Sequence, residues 1–371
     1  MKIWKTIGLM SGSSLDGLDI AYAEFWKDQT GWQYSLLVGE TIEYSYKWHS
    51  VLKNIRNYSE EKLMTLHFDY GKLLGELTNN FIAKHNLKPE LIASHGHTVF
   101  HNPEKGYTFQ LGAGEILSEI TNITTITNFR IPDILQGGNG APLVPIGDEL
   151  LFSEYKACLN IGGIANISFI KNKQRVAFDV CPANQLLNHL AAKKGLSFDE
   201  NGRLASGGKV LESLYQKLAE NPFYFKLYPK SLSNEYVAES FIPLIDRAKG
   251  TIEDKLHTVS IHIADQLYKA TLLIERRDDI YRPVEMDRTL EGNGKILVTG
   301  GGAFNRFLME ALDDIVPYDI IVPDTMLVNY KEALVFALMG VLKINGEINC
   351  LASATGARSD SSAGTVYEIG H

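Results

Sequence analysis

Cysteine is scarce in this sequence, since the 371 residues include only three, at Cys158, Cys181 and Cys350. Three widely spaced cysteines supply neither a disulfide framework nor a paired Cys-x-x-Cys zinc site, so a reducing compartment is expected. Apolar runs are short as well, and we find no stretch of the roughly 18 to 20 residues that would span a bilayer. The N-terminal segment lacks the pattern of an export signal. These features predict a cytoplasmic protein without a membrane partner.

Excess positive charge is also missing. The chain carries 36 lysines and arginines against 44 acidic residues, which gives a formal net charge of −8. Proteins that bind nucleic acid gather basic side chains into a patch that displaces counterions from the phosphates, so no nucleic-acid partner is expected. The chain does have 45% apolar residues. That content can form a large core, and the length favours two domains over one.

The opening of the chain is typical of an α/β unit that begins with a β-hairpin. Strand-like runs at 5–10 and 18–25 flank a Gly/Ser turn, and a third strand is predicted at 34–46. Apolar residues at helical spacing follow over 48–85, before another strand at 91–94.

The same order returns in the second half. KACLNIGGIANISFI predicts strand, turn and strand, RVAFDV predicts a third strand, and a helix is expected at 184–194. Later come a strand at 295–299 and helices at 305–312 and 331–344, while the charged stretch 275–294 is interpreted as an exposed connection. Two copies of one unit predict two similar α/β lobes with a ligand in the cleft between them.

The first turn, GLMSGSSLDGLD, has the composition of a phosphate-binding loop. Gly12 and Gly17 permit positive φ, so backbone N–H groups and the hydroxyls of Ser11, Ser13 and Ser14 can face a phosphate. An ordinary polar hairpin turn remains the alternative. The pattern GxxxxGK[ST] is absent, so this is not a Walker loop.

Two further turns carry glycines. NIGGIANIS contains Asn160, Gly162 and Gly163 at the equivalent place in the second half, and a two-lobed kinase needs such a loop from each side. VTGGGAFNR places three consecutive glycines, Gly300–Gly302, before Asn305 and a helix, where the backbone can lie against a base or ribose. The dinucleotide fingerprint GxGxxG is not matched.

Three carboxylates are candidates for chemistry. Asp179 lies at the end of a predicted strand, where it can take a proton from an attacking hydroxyl or water, although a helix-capping role is the alternative. Asp16 and Asp19 are candidates for holding Mg²⁺, which prefers carboxylate oxygen, or for stabilising their own loop.

SHGHTVFHN brings together His95, His97 and His101. A zinc site would need a further ligand and a nearby base, so we interpret this segment as a loop that contacts substrate. Arg130 can bind a carboxylate or phosphate with two hydrogen bonds, and a surface ion pair is the competing interpretation.

The assembled motifs resemble the anhydro-N-acetylmuramic acid kinase family in order along nearly the whole chain. The shared segments are GLMSGSSLDGLD, SHGHTVFHNP, GGNGAPLVP, LNIGGIANIS, FDVCPAN, FDENGRLASGGKV, VTGGGAFN and the closing KEALVFA with ATGA. The resemblance implies an α/β fold of two actin-like, ribonuclease H-like lobes with a central ATP cleft. We expect an N-terminal lobe of residues 1–148 with 352–371 and a C-terminal lobe of 149–351.

The resemblance also implies a reaction, in which ATP, Mg²⁺ and water convert 1,6-anhydro-N-acetylmuramic acid from cell-wall turnover into N-acetylmuramic acid 6-phosphate. Asp179 would be the base, and a homodimer is expected. The other residues are assigned as follows: Gly12, Ser13, Ser14, Leu15, Asp16, Gly17, Leu18, Asp19, Asn160, Gly162, Gly163, Gly300, Gly301, Gly302 and Asn305 to the nucleotide, and Ser94, His95, His97, Arg130, Asn184 and Glu332 to the sugar.

Several positions depart from the family's usual pattern. GTSLDG appears as GSSLDG, SHGQT as SHGHT, DTGPGN as DVCPAN, and KSTGRE is replaced by KSLSNE at 230–235. These changes surround the base and the sugar side. A kinase for a different amino sugar and a non-catalytic actin-like nucleotide-binding protein therefore stay as alternatives.

Overall fold

The structure, a computed structural model, describes residues 2–12, 15–275 and 293–369. The strands within these ranges are β1 (Trp4–Ser11), β2 (Leu18–Asp28), β3 (Gly31–Ile42), β4 (Leu91–Asn102), β5 (Tyr107–Leu111), β6 (Thr125–Thr127), β7 (Ala157–Ile161), β8 (Ile164–Lys171), β9 (Gln174–Pro182), β10 (Lys295–Thr299), β11 (Asp319–Ile321) and β12 (Thr365–Tyr367).

The α helices of the same ranges are α1 (Tyr46–Lys53), α2 (Glu60–His85), α3 (Gly114–Thr121), α4 (Ile131–Leu135), α5 (Pro145–Leu151), α6 (Asn184–Ala192), α7 (Arg203–Ser206), α8 (Glu212–Ala219), α9 (Asn234–Ser240), α10 (Ile242–Arg247), α11 (Ile252–Thr271), α12 (Arg306–Asp313), α13 (Thr325–Ile344) and α14 (Ala352–Thr355). Short 3₁₀ turns occupy Ile55–Asn57, Pro103–Lys105, Glu200–Gly202, Pro222–Phe225 and Gly301–Phe304.

These elements form two compact units. Unit 1 comprises the described residues up to Phe152 together with those from Tyr330 onward, and unit 2 comprises those of Ser153–Asn329. The sequence assigned 330–351 to the other lobe. In the structure, Gly8 of β1 lies directly against the backbone of Ala333, and Gly340 lies against Ala93 of β4. Close packing of α13 on these strands places 330–351 in unit 1.

Unit 1 is built on a seven-stranded sheet in the order β12-β6-β4-β1-β2-β3, with β5 beside β4. The first three strands form an antiparallel meander, and β4 then pairs parallel with β1, as does β6 with β4. The predicted hairpin is present, since Met10 pairs with Asp19 across it. Helix α2 packs on this sheet through apolar residues at helical spacing, among them Leu63, Leu66 and Leu74.

Unit 2 repeats this order. Its sheet runs β11-β10-β7-β8-β9, in which β7, β8 and β9 are an antiparallel meander and β10 and β11 add in parallel. An antiparallel three-strand meander followed by parallel strands on the side of its first strand is the ribonuclease H-like arrangement. The predicted fold class, α/β with two units of this kind, is confirmed.

Helix α13 corrects the expectation that no segment is long and apolar enough to span a bilayer. It could cross a membrane by length and composition, yet 72% of its most apolar stretch of 18 residues is buried inside the protein. The helix lies against β1 and β4. A helix apolar on all sides is expected in the core of a large protein as well as in a bilayer, and here burial inside the protein accounts for it.

Element boundaries differ from the predictions where side-chain pattern is weak. Strand β4 continues from Leu91 to Asn102, well past the predicted end at 94, because it gains β5 as an antiparallel partner. Helix α13 begins at Thr325, six residues before the predicted start. Most of the predicted exposed connection, residues 276–292, lies outside the described residues.

Candidate functional site

The Gly/Ser turn of unit 1 joins β1 to β2, as predicted. Ser13 and Ser14 lie outside the described residues. Leu18 is buried in the core and Leu15, with φ 62°, packs against it, so neither side chain faces outward from the loop. Gly17 lies against the carbonyl of Ile42, at 2.5 Å from where a Cβ would stand. A side chain at Gly17 would therefore push the turn away from β3.

Asp19 is the second residue of β2, next to the loop. Its Oδ1 accepts a hydrogen bond of 2.6 Å from Thr41 Oγ1. Burial raises the pKa of Asp19, the negative charge of Asp16 raises it further, and the Thr41 hydroxyl opposes both effects. Two carboxylates that repel each other fit a divalent cation, although within the described ranges no group of three or more His, Cys, Asp or Glu could hold a metal ion. A cation at Asp16 and Asp19 would need further ligands, such as phosphate oxygen.

His95 and Arg130 form a buried pair in unit 1. His95 Nδ1 donates to the carbonyl of Gly96 at 2.9 Å, and Nε2 accepts from the Arg130 guanidinium at 2.8 and 3.1 Å. Burial lowers the pKa of His95, and the charge of Arg130 lowers it further. The ring also packs against Phe336 of α13, with centroids 4.8 Å apart. Arg130 is thus held in place by a neutral histidine and by the carbonyl of Gly140 at 2.6 Å.

Gly96 separates the two histidines of this segment. Its φ of 70° distorts β4 locally without ending it. The register between β1 and β4 shifts at this point, so that Ser11 pairs with His97. Ser94 accepts from the Gly96 N–H at 3.1 Å and is fully buried. A positive φ favours glycine, so Gly96 allows His97 to turn away from the Phe336 side.

His97 ends a series of three hydroxyl groups, of which Tyr70 and Ser11 are buried and Tyr44 is half-buried. Tyr70 and Tyr44 are joined by a 2.6 Å hydrogen bond, Tyr44 donates to Ser11 Oγ at 2.7 Å, and Ser11 Oγ lies 3.0 Å from His97 Nδ1. We call Tyr70, Tyr44 and Ser11 the hydroxyl chain. Ser11 is 2% exposed, so its hydroxyl serves this chain, whereas the sequence suggested that it faces a phosphate.

A cavity of about 220 Å³ opens beside these groups in unit 1. Its lining includes Gly12 of the turn, both histidines and Arg130; the full set is Met10, Ser11, Gly12, His95, His97, Thr98 and Arg130. The structure therefore brings together five of the predicted positions and their immediate neighbours. Two other predicted sugar residues of unit 1, Ser94 and Glu332, are not among the lining residues.

Glu332 lies on α13 in the same unit and is half-buried. Burial raises its pKa, the charge of Asp19 raises it further, and Arg130 and Lys331 oppose the rise. Lys331 itself forms a buried ion pair with Asp148 at 2.6 Å. Glu332 thus belongs to one electrostatic group with Asp19 and Arg130.

Asp133 organises the loop GGNGAPLVP, which follows α4. Its Oδ2 accepts from the Gly140 N–H at 2.7 Å, and its Oδ1 accepts from the Thr355 hydroxyl at 2.6 Å and lies 3.3 Å from Cys350 Sγ. The loop that supplies the Gly140 carbonyl to Arg130 is thereby tied to the C-terminal segment.

The glycine turns of unit 2 lie side by side at the carboxyl ends of β7 and β10. Thr299 pairs with Asn160, and Gly300, at φ 82°, lies 2.5 Å from Asn160 Oδ1 when a Cβ is placed on it. Gly302 packs equally closely on Ile161. No larger residue fits at either glycine, so the backbone of both turns is kept bare and close together.

Gly162 and Gly163 cap the first turn of α6. Their carbonyls accept from the backbone N–H groups of Ala183, Asn184 and Gln185 at 2.8 to 3.2 Å. Asn184 Nδ2 donates to the Ile161 carbonyl at 3.2 Å and lies beside Gly301. The structure thus brings Asn184 next to Gly162, Gly163 and Gly301, a grouping that the sequence had divided between nucleotide and sugar.

Asn305 has a structural contact of its own. It is the N-cap of α12, where its Oδ1 accepts from the Leu308 N–H at 3.1 Å. The same oxygen lies against Gly202 of the FDENG segment. Its carbonyl side is therefore occupied by the fold, and the predicted nucleotide contact would fall to its Nδ2 or backbone.

Asp179 lies within β9, and so does not cap a helix. The side chain is half-buried, and Oδ2 accepts from the Leu232 N–H at 2.7 Å. Burial raises its pKa to about 6, while the Leu232 hydrogen bond and the charge of Lys230 lower it. The neighbouring Cys181 is fully buried, and burial raises the pKa of its thiol, so it fills space and is not a reactive thiolate. A carboxylate poised near neutrality can act as a general base.

Sequence reasoning missed several groups around these sites. Tyr44, Tyr70, Thr41 and Asp133 act through long-range contacts, and Lys230 approaches Asp179 from another segment. For Lys230, the family-like segment KSLSNE was a signal, because its first residue directly precedes the loop that contacts Asp179. The tyrosines and Asp133 gave no local pattern that distinguishes them from ordinary core or turn residues.

Solved structures match most of the chain at low identity. Component A of (R)-2-hydroxyglutaryl-CoA dehydratase from Acidaminococcus fermentans is 12% identical, covering 92% of this chain and 99% of that one, with a TM-score of 0.46. A ROK family glucokinase from Streptomyces griseus is 10% identical, covering 91% and 99%, with a TM-score of 0.41.

Sequence relatives are closer. A protein of Legionella pneumophila strain Lens named anhydro-N-acetylmuramic acid kinase is 33% identical over 382 residues, covering 98% of both chains. One of the same name from Francisella tularensis subsp. novicida is 30% identical over 376 residues, covering 95% of this chain and 96% of the relative. The profile of the family described as Anhydro-N-acetylmuramic acid kinase matches residues 4–369. This chain belongs to the anhydro-N-acetylmuramic acid kinase family.

Proposed function

We propose that this protein is an ATP-dependent sugar kinase that converts 1,6-anhydro-N-acetylmuramic acid and water into N-acetylmuramic acid 6-phosphate in cell-wall recycling. Membership of the family across residues 4–369 supports the reaction class. The observation that carries the chemistry is Asp179, a half-buried carboxylate whose pKa burial raises to about 6. At neutral pH such a group is ionised, yet basic enough to accept a proton from water.

In the proposed reaction, water attacks the anomeric carbon of the anhydro sugar and Asp179 accepts its proton. The bond from that carbon to O6 breaks, and O6 takes the electron pair and then attacks the γ-phosphorus, so that ADP leaves. The Leu232 N–H holds one oxygen of Asp179 at 2.7 Å. The other oxygen is thereby oriented, and such positioning is a major source of rate in reactions of this type.

The nucleotide is assigned to three turns. Gly12 and the loop to Asp19 would face the phosphates, and the bare glycine turns of unit 2, Gly162–Gly163 and Gly300–Gly302, would accept the nucleoside part. Gly300 packs closely on Asn160 and so keeps the two turns of unit 2 side by side, where one ligand can contact both. Ser13 and Ser14 keep their predicted role as part of the phosphate loop.

Mg²⁺ is the second expected cofactor. Asp16 and Asp19 would hold it, directly or through water, since the negative charge of Asp16 helps to raise the pKa of Asp19 and a cation would offset that effect. When bound, the ion neutralises phosphate charge during transfer. Asp19, fixed by Thr41, is the better oriented of the two ligands.

The sugar is assigned to Arg130, Glu332 and the two histidines of unit 1, together with Asn184 of unit 2. Arg130 keeps N–H groups beyond those used by His95 and Gly140, and a guanidinium suits the carboxylate of a muramic acid. We also propose a cytoplasmic location and a homodimer, both on the family resemblance.

The test is to incubate the purified protein with ATP, Mg²⁺ and the anhydro sugar and to identify the product by mass spectrometry. The expected product carries one water and one phosphoryl group more than the sugar. Asp179→Asn keeps the shape and should lower kcat by about a thousandfold, the usual range for loss of a general base. ATP binding, measured by calorimetry, should stay.

A panel of amino sugars in the same assay separates the alternatives. Turnover of a different amino sugar but not of the anhydro sugar would reassign the substrate, and ATP binding without turnover of any sugar would indicate a non-catalytic protein. Wild-type rates from Asp179→Asn would show that the base is elsewhere.

A further inference from the structure

The hydroxyl chain of unit 1 ends on His97 and has a defined direction. Tyr70 is fully buried, and burial raises the pKa of its hydroxyl well above the ordinary value, so it keeps its proton. Tyr44 has a single proton, which it donates to Ser11 Oγ at 2.7 Å. Ser11 in turn has one proton left, and His97 Nδ1 lies 3.0 Å away. Since Tyr44 donates to Ser11, Tyr70 is the donor to Tyr44, and the Ser11 proton is within reach of His97 Nδ1.

His97 is neutral at physiological pH in this setting. Burial and the nearby charge of Arg56 lower its pKa to about 4. A neutral imidazole carries one proton, and the proton must lie on the nitrogen that does not accept. A ring whose Nδ1 accepts from Ser11 carries its proton on Nε2.

His95 has the opposite arrangement. Its Nδ1 donates to the Gly96 carbonyl and its Nε2 accepts from Arg130. Both rings line the same cavity of about 220 Å³. The Nε2 of His95 is thus hydrogen-bonded to Arg130. In His97 it is Nδ1 that contacts the hydroxyl chain, so Nε2 remains for a ligand.

We propose that the hydroxyl chain holds His97 in the neutral tautomer with Nδ1 unprotonated and Nε2 protonated. In this tautomer the uncharged ring of His97 donates a hydrogen bond from Nε2 to an oxygen of the sugar. The proposal rests on the sugar kinase activity proposed above and deepens it. Tyr44 and Tyr70 are positioning residues, since they act on the sugar only through Ser11 and His97. His97 in turn reads an acceptor oxygen, and it adds no charge to the cavity beside Arg130.

The first test measures the tautomer directly. ¹⁵N NMR of protein labelled at histidine nitrogen distinguishes a protonated from a bare ring nitrogen, and the signals of His97 among the ten histidines are identified by their loss in His97→Gln. At pH 7 the ligand-free protein should show a bare Nδ1 and a protonated Nε2. A proton on Nδ1, or a charged ring, would overturn the proposal.

The second test removes a link of the chain. Tyr44→Phe removes the donor that orients the Ser11 hydroxyl toward His97, so the tautomers should mix and the KM for the sugar should rise about tenfold, as for one lost hydrogen bond. The kcat and the KM for ATP should change by less than about threefold, because the loss falls on ground-state sugar binding. Tyr58→Phe is the matched control, since Tyr58 packs against the same core outside the chain.

Variants of His97 supply the complementary comparison. Glutamine offers an oxygen toward Ser11 and an N–H toward the cavity, so it reproduces the proposed tautomer, whereas leucine offers neither. The KM for the sugar should therefore be about tenfold lower in His97→Gln than in His97→Leu. Equal KM values in the two variants would show that His97 only fills space.

Failure of this inference is distinguishable from failure of the proposed function. If Tyr44→Phe lowers the melting temperature but leaves the KM for the sugar unchanged, the hydroxyl chain has only a structural role. Turnover would persist in that case. Wild-type protein that does not turn over the anhydro sugar would overturn the sugar contact together with the proposed function.

Discussion

The two units share one strand order and use it in opposite ways. In unit 1 the polar groups near the carboxyl end of β1 are buried and bonded to each other, as Ser11, His95 and His97 illustrate. In unit 2 the equivalent edge carries glycine turns and a half-buried carboxylate, Asp179, whose pKa burial raises to about 6. The same scaffold thus supports a fixed arrangement of neutral donors in one copy and a titrating group in the other.

The packing of β1 against α13 in unit 1 can be disrupted at Gly8. A methyl group there would collide with the backbone of Ala333 on α13, and backbone cannot move aside as a flexible side chain can. Gly8→Ala should lower the free energy of unfolding by about 3 kcal/mol, the upper range for overpacking. Urea denaturation followed by circular dichroism measures the loss.

The control for Gly8→Ala is Gly207→Ala in unit 2. Gly207 has a φ of −84°, and the nearest atom to an added Cβ is 3.6 Å away. We expect a change within about 1 kcal/mol, and a small gain is the natural result of restricting the unfolded chain. Equal behaviour of the two variants would mean that β1 and α13 do not approach as closely as described.

A smaller effect is expected from one buried carboxylate in each unit. Asp133→Asn disturbs hydrogen bonds that tie Gly140 to Thr355 and should cost about 2 kcal/mol of stability, because a buried acceptor is replaced by a donor. Asp199→Asn in unit 2 disturbs bonds within one local turn, to Leu204 and Ala205. Its cost, measured by the same urea titration, should be smaller; a larger cost would reverse the comparison.

The smallest effect concerns the titrating group of unit 2. Asp179 works as a base only when deprotonated, and its pKa is raised to about 6, so kcat/KM should fall as pH drops through that value. Lys230 lowers this pKa by its charge. In Lys230→Met the pKa should rise, and the acid limb of the pH–rate profile should move to higher pH.

Lys217→Met makes the same change in helix α8 and serves as the control, with the acid limb expected to stay in place. An acid limb at the wild-type pH in Lys230→Met would contradict the assigned charge effect. An activity that is flat between pH 5 and 8 would remove Asp179 from the role of base.

Much of the scaffold was predictable because it is written in local pattern. The hairpin at β1 and β2, the repeated meander at β7 to β9 and the helix α2 follow from alternation, glycine turns and helical spacing. Asn160 and Gly300 were both assigned to the nucleotide, but the parallel pairing of β7 with β10 that makes them neighbours was not predicted.

The remaining features depend on contacts between distant residues. Tyr44 and Tyr70 read as ordinary strand and helix residues, and only the bulge at Gly96 turns His97 toward their hydroxyls. The start of α13 at Thr325 and the place of its residues from Tyr330 onward in unit 1 were missed, because an all-apolar helix does not indicate which surface it covers. Pattern fixes elements, whereas partner choice is decided by packing.

The close approach of Gly8 and Ala333 has a consequence for how the protein is made. A ribosome delivers β1 more than three hundred residues before the helix that must lie on it, so unit 1 stays open while all of unit 2 is synthesised. Until the last segment arrives, the groove over Gly8 and Ala93 exposes apolar surface that invites aggregation. Nascent chains stalled before residue 330 should therefore depend on chaperones, and completion of the chain should relieve that dependence.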